Sequence, residues 1–173
     1  MRPAAGSGVH WLQEPAMKPA FFLLLALPCA GAEMFGGAEI AEIYRVRLDR
    51  DDLLLETIQQ TIQKYGIADG AVLTAAGSLQ ECTFHRVKSL AEIPEDEFLT
   101  LHEPLEILNL DGLIANGEPH LHMTLSGAKG AVGGHLEKGC RVLYRAELTI
   151  ARFSGPPLAR KPNKAGVPIL QRK

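Results

Sequence analysis

The chain has 173 residues, 46% of them hydrophobic, which suits one domain with a real core and leaves little length for a second. Charged residues make up 22% and the formal net charge is -2. No field of one sign therefore marks the whole molecule for nucleic acid, a membrane surface or a polyanion, and any such partner requires a local patch.

The N-terminal stretch reads as an export signal over residues 1–32. Lys18 supplies a positive start, Phe21 to Leu27 form an apolar run too short for the ~20 residues of a membrane span, and Ala30-Gly31-Ala32 offers small residues for cleavage after Ala32. Met17 is the better start of such a signal, because residues 1–16 hold Glu14 and two prolines. The alternatives are a hydrophobic N-terminal arm, or a lipoprotein acylated at Cys29, which the preceding Pro28 fits badly. With the signal the protein is secreted or periplasmic; without it, cytoplasmic. Its removal takes away Trp11, the single tryptophan, and leaves 16 basic against 19 acidic side chains, a net charge of about -3 with no membrane span. Cys82 and Cys140 remain, with no Cys-x-x-Cys spacing; a disulfide in an oxidising compartment and two buried free thiols on strands are both open.

In chain order, the first element is a strand over Ile43–Leu48, with Tyr44, Val46 and Leu48 facing inward and Arg45 and Arg47 outward. Asp49, Asp51 and Asp52 offer capping and first-turn carboxylates for a long helix in which Leu54, Ile58 and Ile62 recur every four residues, closed by Lys64 and Gly66. Strand-like runs follow at Ala71–Ala76 and Glu81–Val87, then an acidic loop around Pro94–Glu97, then Leu105–Ala115 interrupted at Asp111-Gly112. Near the end Val142, Tyr144, Ala146, Leu148 and Ile150 alternate with polar residues as one long half-buried strand. One helix against several strands joined by Gly and Asp turns predicts an α+β domain with an antiparallel or mixed sheet, its core over residues 33–155. Residues 156–173 continue as a basic, proline-containing segment. From 151 onward there are six basic residues, no acidic ones and four prolines, which reads as a solvated tail or edge segment or, alternatively, a binding arm.

The chemistry concentrates in Pro119-His120-Leu121-His122-Met123-Thr124-Leu125. Strand alternation puts His120 and His122 on one face, about 6.6 Å apart by the strand rise. The turn-rich Gly127-Ala128-Lys129-Gly130 follows, then Gly133-Gly134-His135. A turn centred between Ala128 and Lys129 sets His122 opposite His135, with Cβ atoms ~4.5–5.5 Å apart on the same side of the sheet. A bulge at Gly133-Gly134 would shift that register by one and aim His135 away. Three neutral imidazoles with a vacant fourth position are the ligand set of catalytic rather than structural zinc, so His120, His122 and His135 are candidate ligands for zinc or another divalent transition metal. Gly133 and Gly134 would let a backbone, a cofactor or substrate, or a neighbouring subunit approach closely. Glu106, Glu103 and Asp111 are candidate carboxylates, Glu106 as a catalytic base, against the plainer reading of surface charge. His85 and His102 read as isolated. The glycines at 127–134 do not form a phosphate loop, because no Lys-Ser/Thr follows and no helix begins there.

The succession Glu106-Ile107-Leu108-Asn109-Leu110-Asp111-Gly112-Leu113-Ile114, Pro119-His120-Leu121-His122, Gly133-Gly134-His135-Leu136 with Gly139, and Glu147-Leu148-Thr149-Ile150 closely resembles the PPC domain, the plants and prokaryotes conserved family. The likeness runs from about Ala38 to Leu170 and takes in the early helix and Gly77-Ser78 as a turn. It implies an antiparallel α+β fold assembling as a homotrimer, with His120, His122 and His135 as the metal cluster of prokaryotic members. Plant members join the domain to DNA-binding arms with an Arg-Gly-Arg-Pro core. Here the nearest approach is Arg160-Lys161-Pro162, so a DNA partner is not expected. The resulting expectation is a homotrimeric module whose histidines hold a metal or a small anionic ligand. The alternatives are a metal-dependent hydrolase or lyase, and a DNA-binding or regulatory protein.

Overall fold

The computed structural model describes residues 32–173, so the export signal expected over residues 1–32 lies, but for Ala32, outside the described residues. The elements are β1 (Glu39–Asp49), α1 (Leu54–Lys64), β2 (Gly70–Val87), β3 (Asp96–Leu101), β4 (Leu105–Ala115), β5 (Glu118–Gly127), β6 (Gly130–Leu136), β7 (Arg141–Ser154), β8 (Leu158–Pro162) and β9 (Pro168–Arg172). Every strand pair among the described residues is antiparallel. No described helix is long and apolar enough to cross a membrane.

Strand β2 is the spine. The two runs expected at Ala71–Ala76 and Glu81–Val87 are one strand of 18 residues. Its first half pairs with β7 on one side and β4 on the other; its second half pairs with β3 and β6. Gly77-Ser78 is therefore not a turn. It lies within β2, where Gly77 sits so close to the Ala146 backbone that a side chain would overlap it. The sheet runs β1-β7-β2-β4-β5-β6, and the β2–β6 pairing brings its last strand back to β2, so that β2, β4, β5 and β6 close into a ring. Phe84, Leu79, Leu105, Leu110, Leu121, Leu125 and Leu136 are fully buried members of the core, each worth about 1.5–3 kcal/mol relative to exposure.

The helix is short rather than long, 11 residues or about 16 Å. Leu54, Leu55, Ile58 and Ile62 bury one stripe. Its entry is not capped by an aspartate. Leu53 is the N-cap without a side-chain bond, and the start is pinned instead by backbone, with Leu54 N donating to the Cys140 carbonyl at 2.8 Å and Val142 N to the Asp52 carbonyl at 3.0 Å. The first bond satisfies one of the unpaired N–H groups of the helix's first turn, and the second ties the residue before the helix to β7. Cys140 also forms a disulfide with Cys82, fastening this corner to the middle of β2.

Asp111-Gly112 does not interrupt β4. Gly112, at φ 147, lets β5 approach where a Cβ would overlap the His120 carbonyl oxygen. Asn116 and Gly117, both at positive φ, make the two-residue turn into β5. In β7 the alternation holds for Val142, Ala146, Leu148 and Ile150 but fails at Tyr144, which is 69% exposed. Between Gly77↔Ala146 and Leu79↔Val142 three residues of β7 oppose one of β2, and this bulge turns Tyr144 outward. The basic C-terminus is no free tail: β8 and β9 form a hairpin tied to the sheet by Leu158 N donating to Asp69 and by Arg160 donating to the Glu118 and Leu113 carbonyls.

Candidate metal centre

Strand β5 alternates as its sequence requires, with Leu121, Met123 and Leu125 buried and His120 and His122 on the outer face. The β5–β6 turn falls at Ala128-Lys129, and His122 stands opposite His135 with no slip at Gly133-Gly134. Those two glycines let backbone come close. A Cβ on Gly133 would overlap the Met123 carbonyl of β5, and one on Gly134 the His85 carbonyl of β2.

The three imidazoles converge. His120 Nε2 lies 3.2 Å from His122 Nε2, and the His135 ring stands edge-on to both, with centroids 4.9 and 5.3 Å away. One ring nitrogen from each of the three fits within a 4.8 Å span. Zinc–nitrogen bonds of ~2.0–2.1 Å at a tetrahedral angle separate two ligand nitrogens by ~3.3 Å, so the His120–His122 spacing suits a shared ion. It also suits a single N–H···N hydrogen bond.

The electrostatics favour the neutral form of His135 and His120. Burial, then the neighbouring His120, His85 and His122, push the His135 pKa down to about 4 against an opposing pull from Glu137. His120 is lowered first by burial, then by the Arg160 guanidinium that the C-terminal hairpin sets beside it, then by His122 and His85. Neutral imidazole is the ligand form, and it needs no proton released before a metal binds.

His85, which reads as isolated in sequence, belongs to the same face. It pairs with His135 across β2 and β6 and stacks on it at 4.5 Å, while its Nδ1 lies 2.7 Å from Glu137 Oε1. Facing residues His85, His135, His122 and Asp111 thus form one row across β2, β6, β5 and β4. Glu137 was findable, since His135-Leu136-Glu137 alternates on a strand. His85 was not, because no turn connects β2 to β6. His102 pairs with Glu81 at 3.3 Å and is not part of the cluster. Glu106 is exposed opposite Ser126, four residues along β5 from His122 or about 13 Å by the strand rise.

The sequence profile of the Plants and Prokaryotes Conserved (PCC) domain matches residues 36–154. A bifunctional protein GlmU from a Synechococcus strain is 34% identical over 125 residues, 72% of this chain but 19% of that protein, so the match spans about a fifth of the relative's length. Among solved structures, a metal-containing protein of Archaeoglobus fulgidus superposes with TM-score 0.70 at 23% identity, covering 81% of this chain and all 100% of that one. A protein of Bacteroides thetaiotaomicron named for a supposed DNA-binding role superposes with TM-score 0.67 at 22% identity, covering 78% and 94%. That name runs against the expectation, made for this chain, that DNA is not a partner; at 22% identity the likeness itself shows the fold alone. Profile and fold agree with the motifs of β4 to β7, and the chain belongs to the Plants and Prokaryotes Conserved domain family.

Proposed function

We propose that this protein is an exported, homotrimeric binding module in which His120, His122 and His135 hold a divalent transition ion, most fittingly zinc, with an open position for a small anionic ligand. The convergence of three imidazoles within 4.8 Å carries the reading. The Arg160 guanidinium beside His120 supplies positive charge for the anion. The Cys82–Cys140 disulfide supports an oxidising compartment, and with it a mature chain beginning at Glu33. Exposed apolar side chains at Ile43, Leu73, Leu108 and Tyr144 supply surface that association between copies would bury. In this account residues 33–155 form the family domain and 156–173 a basic addition to it.

A bound ion would act at this site as a Lewis acid and lower the pKa of a coordinated water, which is the ground for the hydrolase or lyase alternative. Glu137 and Asp111 lie nearer the cluster than Glu106 and are the better carboxylates for such work. Nucleic-acid binding is a second reading. It draws on the name of the Bacteroides neighbour and on the basic residues gathered in β8 and β9.

The zinc-loaded protein separates these readings. Bound metal without turnover of ester, amide or phosphoester substrates, and a mass of three chains by light scattering, are the expected results. Metal-dependent turnover would replace the binding module with the enzyme. Retention on DNA that falls steeply with salt would favour the nucleic-acid reading.

A further inference from the structure

The histidine face holds a second constellation that a three-histidine site does not use. His85, His135 and Glu137 are all half-buried, and one ligand atom from each fits within a 4.8 Å span. His85 lies between two carboxylates, with Nδ1 at 2.7 Å from Glu137 Oε1 and Nε2 at 3.9 Å from Asp96 Oδ2. Neither carboxylate touches His120 or His122 among the described hydrogen bonds and ion pairs. The two donor sets meet in one residue, His135, which stands edge-on to His120 and His122 and stacks at 4.5 Å on His85.

We propose that this face binds two divalent transition ions, the second held by His85, His135 and Glu137, with the His135 ring shared between the two. The inference rests on the three-histidine reading, because His135 serves both sets. Imidazole has two ring nitrogens on different edges, so one ring can donate to an ion on either side. Binding both ions releases the remaining ring proton of His135 to solvent as the second metal–nitrogen bond forms. The two sets differ in chemistry. The first is three imidazoles. The second is two imidazoles and a carboxylate, a set that suits zinc or non-haem iron and leaves positions open. The charges are arranged accordingly: Glu137 and Asp96 offset the repulsion that a second cation would meet beside the first, whereas the Arg160 guanidinium acts on His120.

Zinc stoichiometry tests this directly. The purified full chain is incubated with excess zinc chloride near neutral pH, desalted, and assayed for zinc per chain by elemental analysis. The expected values are two for the wild type, one for Glu137→Gln and for His85→Ala, and one for the double variant His120→Ala/His122→Ala. One zinc in the wild type, unchanged by Glu137→Gln or His85→Ala, would overturn the second site while leaving the first intact; Glu137 would then serve only to orient His85. No zinc in the wild type would overturn both. The wild-type value decides between these outcomes even where a variant fails to fold.

Discussion

The β5–β6 hairpin and strand β2 both carry site histidines, yet they reach the site by different routes. In the hairpin a two-residue turn sets the register, so the His122–His135 pairing follows from counting outward from Ala128-Lys129. In β2 the partners arrive from four other strands, and His85 meets His135 only when the ring of β2, β4, β5 and β6 closes. Half of the histidine face is thus a local consequence of turn chemistry, and the other half depends on contacts distant in sequence.

The long-range half should be the easier to break. The Cys82–Cys140 disulfide closes a span of 58 residues and ties β2 to the entry of β7. Chain-entropy arguments put its contribution at about 4 kcal/mol, so the reduced protein should show a correspondingly lower urea midpoint, and a thiol assay on the native protein should find both cysteines unreactive. Next in size is Gly112. Alanine there combines an unfavourable φ with overlap of the His120 carbonyl and should cost about 3 kcal/mol. Gly117→Ala, also at positive φ but with nothing within 4 Å, should cost only about 1 kcal/mol. Equal losses from the two would mean that the close approach of β4 and β5 is not the constraint.

A smaller effect follows from His135. Its folded pKa of about 4 lies below the ordinary ~6.5, so between those values the unfolded chain binds a proton that the folded chain does not. Stability of the EDTA-treated protein should therefore be intact above about pH 6.5 and fall as the pH drops toward 4, with His135→Asn flattening that slope. The smallest effect is expected at Tyr144. Because the β7 bulge exposes it, Tyr144→Ser should change stability by less than about 0.5 kcal/mol, whereas Leu148→Ala in the core should cost about 2–5 kcal/mol.

Much of the fold was legible wherever periodicity and a nearby turn decided the matter. The inward residues of β1 and β5, the buried stripe of α1 and the antiparallel sheet follow from alternation and spacing. Two strands were read where β2 is one, because a Gly-Ser pair marks a turn in isolation but here permits Ala146 to pack closely. Tyr144 was misplaced because a bulge leaves no mark on alternating residues. The aspartates before α1 looked like caps, yet backbone from the β7 entry occupies that role. The site divides in the same way. His120, His122 and His135 lie within 16 residues of one another, while His85 and Arg160 join them only through tertiary pairing.

The central claim is that the histidine face is a metal site, and elemental analysis tests it most directly, comparing the purified protein with a variant in which His120, His122 and His135 are all alanine. A transition metal at one or more ions per chain in the first, and none in the second, is the predicted result. No metal in the wild type even after incubation with zinc, or the same content in both proteins, would contradict it and leave the histidines to packing and hydrogen bonding.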